Sequence, residues 1–366
     1  MNILYISHLT NSPWAGPSYS VPAQIEAQSQ IDNVFWYNIS NSEKAKEWKH
    51  FPYYHDSEEF PEQRLNLLPK PFDKPDIVVV EQFYNMAKCP ILKELENGNI
   101  PYVIIPRCEL TKEAQKRKQL KKLVANKLYF EKFSRNAAAI HYLTEQERLS
   151  SGEKWNKKSF VVPNGVSIQK KGEKKNFSSN SIRCISIGRI EPYQKGLDLL
   201  IKATALVQVQ LRNANVTIDL YGPDVDNKSA ELKQMIDAND VGDIISIYDP
   251  VFGDDKIRVL EGSDVFLMPS RFEGHPMAMI EALAFGLPCI ATPGSNMYEE
   301  IKKNDAGWCS ECSINSISNT LVNMIEEKNQ IQKKSSNALA LANAYSWNSI
   351  AMNSHNEYEK ILGERV

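Results

Sequence analysis

The stretch DVFLMPSRFEGHPMAMIEALAFGLPCIATP, from Asp264 to Pro293, sets two carboxylates eight residues apart, Glu273 and Glu281. A buried strand is expected to end at Ser270, and the loop after it carries Arg271, Glu273 and Gly274. Pro276 stands where a first helical turn starts, and Glu281 lies two turns into that helix. The two carboxylates can therefore reach different parts of one extended ligand, and a carboxylate that accepts two hydrogen bonds suits a ribose diol or sugar hydroxyls. N–H groups in the helix start near Pro276 to Met279 form an anion site, with phosphate the expected anion. Taken singly, Glu281 also fits a solvated helix position and Glu273 a helix entry favoured by the dipole. Gly274 beside them, which permits close backbone approach, favours the ligand reading.

A second segment, ISIGRIEPYQKGLDLLIKA from Ile185 to Ala203, reads strand, Gly188, Arg189, loop, Lys195, Gly196 and helix. Arg189 offers a planar fork to phosphate oxygens and Lys195 a point charge near a helix start. Together they could neutralise a diphosphate leaving group.

The elements that must position these groups alternate between buried strands and helices. NILYIS opens the chain, a polar turn follows, and a helix is expected over Val21 to Gln30. Further strands are expected at 34–39, 76–81, 101–106 and 137–143. The polar, basic stretch 169–180 is taken as a linker. A second series follows, with strands at 182–188, 216–222, 264–270 and 288–292 and helices between. Such alternation implies parallel, doubly wound sheets. The expected domains are residues 1–168, the linker 169–180, residues 181–345 and a terminal helical segment, residues 346–366.

With 366 residues, 42% hydrophobic and 24% charged, the chain can bury two cores and is neither disordered nor fibrous. A net charge of -2 argues against a nucleic-acid binder, and nucleic acid is not an expected partner. No apolar run approaches the roughly 20 residues of a membrane span. MNILYISH lacks the basic head and long apolar core of a secretory signal, so the expected location is the cytoplasm, at the inner face of a membrane. Six scattered cysteines suit a reducing compartment. Cys309 and Cys312 form a CxxC with no second pair to complete a zinc site, and no metal is expected there.

GRIEPYQKG, YGPD at 221–224, SDVFLMPSRFEGHPMAMIEALAFGLPCIATPGSNM and the AGW at Ala306 to Trp308 resemble the retaining glycosyltransferases of family 4, the glycosyl transferases group 1. The spacing of Glu273 and Glu281 matches that family's EX7E motif. The resemblance implies an α/β chain with the GT-B fold: two Rossmann-like domains facing across a cleft, with a C-terminal helix crossing back to the first. It implies that Arg189 and Lys195 bind the donor diphosphate, Glu281 the ribose, and Glu273 with the backbone of Gly274, His275, Pro276 and Met277 the transferred sugar. Glu273, Arg189 and Lys195 would form the catalytic set. Gly16 would let the first loop close over the donor phosphates. No cofactor or metal is implied, since the arginine, the lysine and the helix dipole take the electrostatic role.

The chain departs from the family in two places. Gly16 is followed by Pro17 where a second glycine is common, and IIPRCEL stands where many members carry a cleft histidine. Arg107 and Glu109 of that segment, with His141 on the next strand, are the candidates for an acceptor or cleft role, although His141 reads better as a packed strand histidine. The DVD triplet at Asp224 to Asp226 is assigned turn and capping duty.

Residues 112–135 carry nine Lys or Arg and two Glu, with Leu120, Leu123, Val124 and Leu128 at helical spacing. One reading packs this helix on its own domain; the other turns it toward anionic headgroups as a peripheral membrane contact. The expected activity is transfer of a hexose-type sugar, with retention, from a nucleotide-sugar donor to a glycan or glycolipid acceptor in surface polysaccharide or lipopolysaccharide synthesis. The alternatives are a non-catalytic nucleotide-sugar or glycan-binding subunit, and an epimerase or a glycogen-type phosphorylase. No GxGxxG follows an expected strand, which argues against a nicotinamide dehydrogenase.

Overall fold

The structure is a computed structural model describing residues 1–11, 16–86, 89–98, 100–116, 119–168, 180–224, 227–273 and 275–364. The chain divides into two compact units, Met1–Gly165 with Trp347–Val366, and Val166–Ser346.

The first unit is built on seven strands: β1 (Asn2–Ser7), β2 (Asn33–Asn38), β3 (Tyr54–Asp56), β4 (Ile77–Glu81), β5 (Tyr102–Ile105), β6 (Ala139–Tyr142) and β7 (Ser159–Val161). They form one sheet in the order β3-β2-β1-β4-β5-β6-β7, with every pairing parallel. Successive residues of a strand feed opposite cores. Leu4, Ile6, Val78 and Val80 enter one cluster, while Ile3, Tyr5, Ile77 and Val79 enter the other. A sheet covered on both faces needs both residue sets apolar, which is why these strands read as unbroken hydrophobic runs.

Its helices are α1 (Pro17–Gln28), α2 (Pro90–Gly98), α3 (Lys112–Lys116), α4 (Gln119–Ala125), α5 (Glu131–Asn136) and α6 (Glu145–Ser151). The first starts at Pro17 rather than Val21, because Pro17 occupies the first helical turn, where its missing N–H costs nothing. The basic stretch is not one helix: a π-helical turn, Asn126–Phe130, lies between α4 and α5.

The second unit holds β8 (Ile182–Ile187), β9 (Val216–Tyr221), β10 (Ile245–Tyr248), β11 (Val265–Met268), β12 (Cys289–Ala291) and β13 (Gly307–Cys309), again all parallel, in the order β10-β9-β8-β11-β12-β13. Its helices are α7 (Leu197–Leu206), α8 (Gln208–Asn213), α9 (Lys228–Ala238), α10 (Gly253–Glu261), α11 (Met277–Ala284), α12 (Tyr298–Lys303), α13 (Ile314–Glu326) and α14 (Ile331–Asn343). Two apolar clusters again cover the two faces: Ile182, Cys184, Val265 and Leu267 go to one, Ile185, Phe266 and Met268 to the other.

The first unit ends at Gly165, not 168. Val166 donates its N–H to the Tyr345 carbonyl at 2.7 Å and packs with Ile168 in the second unit's core. Residues 169–179 of the expected linker lie outside the described residues. The last helix, α15 (Trp347–Gly363), belongs to the first unit: Tyr358 is buried beside Ile3, Tyr5 and Trp36, and His355 meets Asp32 at 2.9 Å. Among the described residues no helix is long and apolar enough to cross a membrane.

Candidate functional site

In the second sheet the strand order reverses between β8 and β11, which are hydrogen-bonded neighbours whose chains continue to opposite sides. At such a reversal the loops leaving the carboxyl ends part and open a crevice. The loop after β8 carries Arg189 and Lys195; the loop after β11 carries Glu273 and leads into α11 with Glu281. Residues 78 apart in sequence thus meet at one strand end.

The two loops are clasped. Gly196 has φ +66°, and a Cβ there would come within 2.0 Å of the Pro269 carbonyl oxygen, so only glycine admits this approach. Arg271 donates its backbone N–H to the Gln194 carbonyl at 2.9 Å. Its guanidinium forks onto both carboxylate oxygens of Asp198, at 2.6 and 2.8 Å, and lies 4.4 Å from the centre of the Tyr193 ring. Such a bidentate pair fixes orientation as well as charge.

Within that clasp Lys195 Nζ reaches Glu273 Oε1 at 2.8 Å, the side chains being 18% and 8% exposed. Ser270 Oγ donates to the same Glu273 oxygen, and Asn296 Nδ2 donates to the Glu273 carbonyl at 2.6 Å. The carboxylate is therefore oriented from two sides, while Lys195 keeps donors for a further anion. Arg189 is exposed, its guanidinium 3.2 Å from Gln194 Oε1. Helix α11 begins after Pro276, and no side chain caps it. The Met277 N–H turns back to the His275 carbonyl at 2.9 Å. Gly274 lies outside the described residues. On the same helix Glu281 forms an ion pair with Lys256 of α10, both side chains partly exposed.

Lys256, Ser270, Asp198 and Asn296 were not among the residues the sequence pointed to. No spacing signal marks Lys256, Asp198 and Asn296, because their partners stand on other elements, and Ser270, although only three residues from Glu273, meets it through the turn of the loop.

In the first sheet the reversal falls between β1 and β4. Gly16 precedes α1, and its carbonyl accepts the Tyr19 and Ser20 N–H groups and Ser20 Oγ. Arg107 does not face outward from its strand end: its side chain is 6% exposed and turned into the unit. Nε pairs with the fully buried Glu81 at 2.7 Å, and the two terminal nitrogens donate to Ser20 Oγ at 3.0 Å, Asn164 Oδ1 at 3.3 Å and Gln24 Oε1 at 3.0 Å. Arg107 is thus a strut between the carboxyl ends of β4 and β5 and the first turns of α1. The turn it stands in is strained, with φ of 48° at Arg107 and 68° at Cys108. Glu147 holds it by accepting the Cys108 N–H.

Glu109 is likewise directed inward. It accepts the Phe83 and Tyr84 N–H groups at 2.6 and 3.1 Å, and burial raises its carboxyl above the usual range against the pull of those bonds. His141 is 1% exposed, stacks on Phe160 and meets the Val162 carbonyl through Nε2 at 2.7 Å. Burial pushes it down to about 4, so it is neutral with its proton on Nε2. Asp224 of the DVD triplet accepts the Lys228 N–H at 2.6 Å and the Ser229 N–H at 3.0 Å ahead of α9, a helix-entry role; Asp226 lies outside the described residues. Among the described residues no three His, Cys, Asp or Glu gather as metal ligands.

Two parallel-sheet, Rossmann-like domains are the architecture of the GT-B glycosyltransferase structures. The chain superposes on the crystal structure of Anabaena HepE in complex with UDP and glucose with a TM-score of 0.67 and 18% identity, over 98% of this chain and 100% of that one. Residues 167–340, most of the second unit, match the family model described as glycosyl transferases group 1. Among curated relatives, the amylovoran biosynthesis glycosyltransferase AmsK of Erwinia amylovora is 32% identical over 35% of this chain and 31% of its own length. The UDP-Gal:alpha-D-GlcNAc-diphosphoundecaprenol alpha-1,3-galactosyltransferase of Escherichia coli is 27% identical over 46% of this chain and 45% of its own. The chain spans less than half the length of these curated relatives.

Proposed function

We propose that the protein is a retaining glycosyltransferase of family 4, moving a hexose-type sugar from a nucleotide diphosphate donor to a hydroxyl of a glycan or lipid-linked acceptor in surface polysaccharide or lipopolysaccharide synthesis. The observation that carries this reading is the pair of carboxylates on the β11 loop and α11, each matched with a lysine from another element, at the reversal of a sheet whose unit matches the glycosyl transferases group 1 model. The names of the similar proteins, an amylovoran biosynthesis glycosyltransferase and a galactosyltransferase acting on a GlcNAc-diphosphoundecaprenol, support a nucleotide-sugar donor and a glycan or lipid-linked acceptor.

In this reading Arg189 and Lys195 take the donor diphosphate. Lys195 exchanges its hydrogen bond with Glu273 for one to phosphate and balances the charge that grows on the leaving oxygen. Glu281 binds the ribose diol and gives up Lys256 to do so. Glu273, held by Ser270, orients the transferred sugar. Transfer is metal-independent and front-face. The bond from the anomeric carbon to the donor phosphate oxygen breaks with its electrons going to phosphate. The acceptor oxygen then bonds to the same face, and its proton passes to that phosphate oxygen. No cofactor takes part.

Calorimetric titration with UDP-glucose, UDP-galactose, UDP-N-acetylglucosamine and GDP-mannose tests the site. One donor should bind saturably, and Glu281→Ala and Lys195→Ala should each weaken it by about tenfold or more, the worth of a charge-assisted hydrogen bond. Acceptor-dependent nucleotide release should accompany binding. Folded protein that binds none of the donors would overturn the proposal. Binding with no release in the presence of lipid and glycan acceptors would favour a non-catalytic binding subunit instead.

A further inference from the structure

We infer that the crevice at the amino end of the first sheet, between the end of α1, the starts of β2 and β3 and residues 69–72, binds a neutral saccharide ring. The inference rests on the first unit alone and does not depend on the transfer reaction proposed above.

The crevice encloses about 340 Å³, the size for a small ligand. It lies where the strands begin: Asn33 starts β2, and Tyr53 directly precedes β3. Ligands of a doubly wound sheet sit at the opposite, carboxyl ends, so this is a separate place. Four rings line it, those of Phe35, Tyr53, His55 and Phe72. His55 lies flat on Phe35, with ring centres 4.2 Å and planes 8° apart, and Phe72 meets Phe35 at 5.1 Å. Phe35 and Phe72 are buried, so the faces left to a ligand are those of His55 and Tyr53, both partly exposed. Each of these is braced. Glu59 meets His55 Nδ1 at 2.7 Å, and Phe51 stacks on Tyr53 at 5.4 Å. Rings held in this way present apolar area with one polar handle, the hydroxyl of Tyr53.

The polar groups of the wall say what ring fits. The Tyr53 hydroxyl is buried with no partner in hydrogen-bond geometry; Ser29, whose hydroxyl interacts with it, donates to the Glu26 carbonyl at 2.7 Å. Burial pushes the Tyr53 phenol up to about 12, so it keeps its proton to donate. A buried hydroxyl left in this state is costly until a ligand group answers it. Asn33 gives one amide hydrogen to Asn2 Oδ1 at 2.8 Å and has a second, and Lys70 adds donors at the exposed rim. Asp32, the acidic residue of the wall, is already taken by the Met1 amine at 2.7 Å, Gln28 at 2.6 Å and His355 at 2.9 Å. Aromatic faces edged by donors match a sugar, whose apolar C–H face is rimmed by hydroxyl and ring oxygens. An anion is disfavoured, because α1 ends at Ser29 and brings the negative end of its dipole to the crevice.

Amide NMR of the full chain, titrated with the methyl glycosides of glucose, galactose, mannose and N-acetylglucosamine, tests this. At least one should shift the signals of residues 29–35, 52–55 and 69–72 saturably, with a dissociation constant on the order of 1 mM for a ligand this small. Tyr53→Phe should weaken that binding about fivefold or more, the worth of one hydrogen bond, and Asn33→Ala should weaken it similarly. Circular dichroism checks the fold of each variant. Saturating UDP should leave the shifts in place. Protein that binds a glycoside here and no nucleotide sugar keeps this inference and loses the proposed function. Folded wild type in which none of the four glycosides moves these signals would overturn the inference. So would equal binding by wild type and both variants, or shifts that UDP abolishes, since the sugar would then sit in the donor site. Shifts produced by inorganic phosphate and not by the glycosides would make the crevice an anion site and overturn it too.

Discussion

The side chains of this protein show how little a residue's type says about its direction. Arg107, Glu109 and His141 sit on or just after the central strands of the first sheet, where an outward side chain would meet ligand, yet all three point inward to hydrogen-bonding partners. An arginine paired to a fully buried carboxylate cannot be removed without stranding that charge, so Arg107 holds α1 and the strand ends together. His141 gives a pH prediction. Its folded value is about 4 against about 6.5 unfolded, so between these limits the unfolded chain binds the extra proton and stability falls as pH is lowered. The contribution is on the order of 3 kcal/mol over that window. Glu109, raised by burial, works with the opposite sign, so the histidine is best isolated by comparing urea unfolding of wild type and His141→Gln. The variant should lose less stability between pH 6.5 and 4; equal slopes for the two proteins would mean that His141 is charged in the fold.

At the scale of elements, two loops after β8 and β11 work as one piece because a glycine lets them touch. Gly196→Ala would place a methyl group against the Pro269 carbonyl and force a residue out of the left-handed region, so Lys195 must move away from Glu273. The expected outcome is a loss of about 1–3 kcal/mol in unfolding free energy and a drop in donor affinity like that of Lys195→Ala. Unchanged donor binding in Gly196→Ala would show that the Arg271 contacts, the fork onto Asp198 and the N–H to Gln194, hold the loops without the glycine. The basic stretch carries the converse lesson. Helical spacing of apolar residues is legible in the sequence, but periodicity is the same whether the stripe faces a core or turns outward. Here Phe130 and Phe133 make the inward contact, while Leu120, Leu123 and Leu128 are exposed.

Over the whole chain, each unit closes two apolar clusters around its own parallel sheet, and the first needs the last helix to do so. Deleting residues 347–366 removes Tyr358 from beside Tyr5 and Trp36 and His355 from beside Asp32. Amide exchange in β1 and α1 should then rise by about an order of magnitude or more, as a side of the core is opened to water. Unaltered protection there would mean that α15 is not part of that core. The sequence alone determined the alternation of buried strands and helices, the two sheets and the residue set Arg189, Lys195, Glu273 and Glu281, because hydrophobic runs, turn residues and motif spacing are local properties of a chain. The short strands β3, β7 and β13 were not legible, being too brief to show a period, and the first unit's end was misplaced by three residues because Val166 belongs to a core whose other members are distant in sequence. Only the tertiary structure decided which lysine meets which glutamate, that Arg107 is a strut, and that Leu120, Leu123 and Leu128 face out. Those facts depend on side-chain direction and on contacts between residues far apart, which composition and spacing do not encode.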